Sequence, residues 1–91
     1  MGKEVVLFKS EEKTDRQSVV AFLQQLADKL ATGEVTLIQG AETLTVSVPN
    51  NVTLEIKVED ETNKKGAVKH SLEVEIEWQD GDDAPGGVTL G

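Results

Sequence analysis

Glutamates dominate the side chains of this sequence that could do chemistry. Glu73, Glu75 and Glu77 recur at every second position of Leu72–Trp78, and Glu55 and Glu59 do the same in Val52–Glu59. On an extended chain, carboxylates two residues apart project from one face at roughly 7 Å spacing, close enough to hold a hydrated divalent cation between strands. The same pattern also describes a solvated sheet face whose charge discourages edge pairing. Lys57 and Lys69 are positioned to neutralise part of such a face through cross-strand pairs. A Ca²⁺ or Mg²⁺ site usually adds Asp or Asn ligands on a Gly-containing loop, and no such loop accompanies these acids. The solvated face is therefore the preferred reading. A weaker alternative is a cation site at Glu55, Glu73, Glu75 and Glu77.

The remaining reactive residues are sparse. His70 is the single histidine, in register with Leu72 and Val74, and reads as a partly buried packing residue. Ser10, Ser18, Ser47 and Ser71 have no Gly-x-Ser-x-Gly context, and no P-loop, dinucleotide fingerprint or His-Glu-x-x-His occurs. With no cysteine, disulfides, thiolate nucleophiles and Cys-based metal sites are excluded. Trp78, ending an alternating apolar row, is expected to cap a core, while an exposed Trp78 would mark a protein-binding hot spot. No catalytic residue and no cofactor is expected, and the chain reads as a non-enzymatic interaction or structural module.

The elements that position these residues follow from periodicity. Val52, Leu54, Ile56 and Val58 alternate with Thr53, Glu55, Lys57 and Glu59, and Leu72, Val74, Ile76 and Trp78 alternate with the glutamates. Such period-two patterns describe antiparallel strands with one face on a core and one in water. Val19, Val20, Phe22, Leu23, Leu26, Ala27 and Leu30 instead follow helical spacing, which predicts a helix from Arg16 to about Thr32. Thr14 or Asp15 can serve as its N-cap, with Gln17 completing a capping box if Thr14 is used, and Gly33 as the C′ residue. Residues 4–9 (EVVLFK) read as a first strand, and 34–39 and 43–48 as a hairpin around Gly40-Ala41-Glu42. Pro49-Asn50-Asn51 reads as a turn, 60–67 as a polar hairpin loop and 69–78 as the last strand.

The predicted order is β–α–β–β–β–β, an α+β fold. Its single antiparallel-dominated sheet of four to five strands carries one helix on one face. Residues 1–78 are expected to form one domain and 79–91 a flexible acidic, Gly- and Pro-rich tail. One helix covers ~10–12 Å of a sheet about 24 Å across, so apolar surface is left over. The sheet could curl around the helix, a homodimer could bury the remainder, or another protein could occupy it.

Seventeen acidic against nine basic residues give a formal net charge of −8, which argues against general nucleic-acid or anionic-membrane binding. No stretch is long and apolar enough to span a membrane, and MGKEVVLFKSEEK lacks the apolar h-region of a leader, so a cytoplasmic location is expected.

Two segments together resemble the amphi-Trp domain, a small prokaryotic family. They are DRQSVVAFLQQLADKLATGEVTL (residues 15–37) and VPNNVTLEIKVE…HSLEVEIEW (residues 48–78). The resemblance covers about 75 residues and ends at Trp78. It implies one compact domain closing at that tryptophan, and it brings no activity or site residues with it.

Overall fold

The computed structural model describes residues 2–80. It contains one helix and four strands in the order α1 (Arg16–Thr32), β1 (Glu34–Gln39), β2 (Glu42–Ser47), β3 (Thr53–Thr62) and β4 (Val68–Glu77). The class is α+β. Two compact units divide the chain, Met1–Val48 and Pro49–Gly91. Hydrogen bonding joins the strands as two antiparallel pairs, β1 with β2 and β3 with β4.

The first unit is organised by α1. Asp15 is the N-cap, its carboxylate accepting the Ser18 backbone N–H at 2.7 Å. This hydrogen bond holds the Asp15 carboxyl below the usual carboxylate range, since it favours the ionised form. Of the two caps open from sequence, Asp15 is the one used, and it needs no capping box. At the other end Gly33 takes φ 84° and its N–H reaches Leu30 O at 2.9 Å. A side chain there would meet the αL penalty that glycine avoids. Lys29 lies in the last turn, where a cation opposes the helix dipole.

The chain then turns into the β1–β2 hairpin, whose register pairs Val35 with Val46 and Leu37 with Leu44. These four residues point to one face. Among the described residues Val35 is the one buried apolar residue, at 7% exposure, and Leu26, Leu30, Leu37, Leu44 and Val46 are half-buried. On the opposite face the Thr36 and Thr45 hydroxyls lie 3.0 Å apart. Gly40, at φ 58°, opens a two-residue turn between paired Gln39 and Glu42, with glycine first as a type II′ turn requires. After Ser47 the ladder stops: Val48 N–H donates to Gly33 O at 2.8 Å, and Pro49 has no N–H to offer.

The second unit is built on a ten-pair hairpin from Thr53↔Glu77 to Thr62↔Val68. It extends the expected strand by three residues, because Asp60, Glu61 and Thr62 continue the ladder instead of entering the loop. Asn63 builds the turn, with its side-chain oxygen accepting from Lys65 N–H at 2.8 Å and Ala67 N–H at 3.0 Å. Gly66 takes φ 86°.

Two expectations differ from what is observed. Residues 4–9 form no strand, and Val5, Val6 and Leu7 are exposed. A four-residue apolar run between Glu4 and Lys9 becomes a strand only where a ladder partner satisfies its backbone groups, and neither described strand pair includes it. The first regular element is therefore α1 and not a strand. The ladder also does not run across all strands, which form two separate pairs. Of the expected tail, residues 81–91 lie outside the described residues. No helix among the described residues is long and apolar enough to cross a membrane.

Candidate functional site

The β3–β4 hairpin gathers the glutamates and His70, and it sorts them onto two faces. Odd-numbered residues of both strands share one face: Glu55 opposes Glu75, Lys57 opposes Glu73, and Glu61 opposes Lys69. Even-numbered residues share the other, pairing Leu54 with Ile76, Ile56 with Val74 and Val58 with Leu72. The sorting is a direct result of the two-residue period of a strand.

On the acidic face the glutamates separate into two groups. Lys57 Nζ lies 3.5 Å from both Glu59 Oε2 and Glu73 Oε2, an exposed bridge along and across the strands. The neighbouring charges of Glu59 first, then Glu73, raise the Lys57 pKa above the ordinary lysine value. Glu55, Glu75 and Glu77 form the second group, with carboxylate oxygens within 4.8 Å of one another. Glu55 and Glu75 are direct register partners, an unfavourable like-charge pair. The structure thus brings together three of the four proposed cation ligands and assigns the fourth, Glu73, to a lysine. All three are exposed.

The other face of the hairpin is apolar. Leu54 (63%), Ile56 (56%), Val58 (74%), Leu72 (70%) and Val74 (59%) are more than half exposed, and Ile76 is half-buried. Trp78 continues this row just past the end of β4 and is half-buried, beside a shallow cleft lined by Thr53, Glu77 and Gln79. It neither disappears into a core nor stands free in solvent.

At the turn end of the same face His70 Nδ1 lies 2.6 Å from Asp60 Oδ1, and both side chains are largely exposed. His70 keeps the face predicted for it but is largely exposed and not the partly buried packing residue expected. Sequence reasoning missed Asp60 as its partner by ending the strand at Glu59. The parity of Asp60 and Thr62 with Leu54, Ile56 and Val58 was the signal available.

A second apolar surface lies in the first unit. Phe22, Leu26, Val35 and Leu37 line a cleft between α1 and β1, rimmed by Gln25, Asp28 and Lys29.

Together these features define a small acidic α+β chain with one amphipathic hairpin, acidic on one face and aliphatic on the other. The chain matches the Amphi-Trp domain family over residues 1–90 and belongs to it. The family match runs past Trp78, beyond the point where the resemblance read from sequence stops. No curated protein and no solved structure matches the chain.

Proposed function

We propose that this chain is a non-enzymatic protein-interaction module whose working surface is the apolar face of β3–β4. One observation carries the reading: five aliphatic side chains on a single face, Leu54, Ile56, Val58, Leu72 and Val74, each more than half exposed. A contiguous apolar patch of that kind is costly to leave in water and is characteristic of interaction surfaces. The acidic face then keeps the chain soluble while the other engages a partner.

The absence of cysteine allows a clean test, since Ile56→Cys places a unique thiol in the centre of the row. At submicromolar concentration, where mass action keeps chains apart, this thiol is expected to react with a maleimide at the rate of an exposed thiol. Labelling slowed by a hundredfold would show the row covered within its own chain and would end this reading.

A second reading, divalent-cation binding, is favoured by the convergence of Glu55, Glu75 and Glu77. Titration with Ca²⁺, Mg²⁺ and Mn²⁺ discriminates the two. Saturable amide shifts confined to these three residues, lost in Glu75→Gln, support the cation site, and weak uniform shifts dismiss it.

The joining of the four strands into one sheet is also a proposal, for which nuclear Overhauser contacts between the two strand pairs are the required observation. A cytoplasmic location belongs to the same reading, in keeping with a chain that has no cysteine for disulfides.

A further inference from the structure

We draw no further inference here: the strongest candidate, the apolar cleft between α1 and β1 lined by Phe22, Leu26, Val35 and Leu37, carries none because nothing in the structure shows what covers it.

Discussion

The β1–β2 and β3–β4 hairpins are written in the same alternating code and have opposite fates. Val35, Leu37, Leu44 and Val46 form an aliphatic row of two register pairs, half-buried or better. Leu54, Ile56, Val58, Leu72 and Val74 form a longer row of the same chemistry, and within the second unit each is more than half exposed. The difference lies in the elements adjoining each hairpin along the chain. α1 leads through Gly33 directly into β1, so its Leu26 and Leu30 side arrives on the first hairpin with almost no loop to order. The second hairpin has a ten-residue ladder and no helix of its own among the described residues. Alternation specifies which face is apolar, and a covering element decides whether that face becomes a core.

The sharpest break in this comparison comes from Val35. Val35→Ala removes packing at the best-buried position and should cost about 2 kcal/mol, read as a lower urea midpoint with an unchanged slope. If it costs nothing, the first unit has no core to contrast with the second.

Glycines at positive φ should matter in both units. Gly33→Ala and Gly66→Ala each force an alanine into the left-handed region at φ 84° and 86°, and each should cost about 1 kcal/mol. The Gly33 variant should lower helical circular dichroism, and the Gly66 variant should raise amide exchange along β3–β4. A Cβ at Gly66 meets no atom within 4 Å, so its cost is backbone strain alone.

A smaller effect is expected at Asp15, and its pH dependence has a definite sign. Because the folded carboxyl titrates below its ordinary value, the ionised cap stabilises α1 above the usual carboxylate range and is lost as pH falls through the lowered value. Helical ellipticity of the wild type should therefore decline below about pH 4 toward that of Asp15→Ala, with the two differing at pH 7. A constant gap across that range would remove the cap from the account.

Smallest of all is Leu72→Thr. At 70% exposure, and at submicromolar concentration, it should shift stability by less than about 0.5 kcal/mol. A loss as large as that of Val35→Ala would show the second row buried in its own chain, and the two hairpins would cease to differ.

Legibility followed the range of the interactions involved. Asp15, Gly33, Gly40 and Gly66 act within a few residues of themselves, so α1 could be placed from sequence and both turns located to within a few residues, Glu42 and Asp60–Thr62 proving to be strand. The faces of β3 and β4 were equally readable, since parity alone separates Glu55, Glu75 and Glu77 from Leu54, Ile56 and Val74. Residues 4–9 were not, because Val5, Val6, Leu7 and Phe8 satisfy a strand pattern while a strand also requires a partner edge that local composition does not reveal. The partition of the glutamates was likewise settled only in three dimensions: cross-strand register gave Glu73 to Lys57 and set Glu55 against Glu75. Sequence by itself determined the class, the helix, the turns and which side chains share a face, because these depend on backbone period and near neighbours. Only the tertiary structure decided which strands pair and that Val35 is the residue buried against α1, because pairing and burial depend on segments that meet in space.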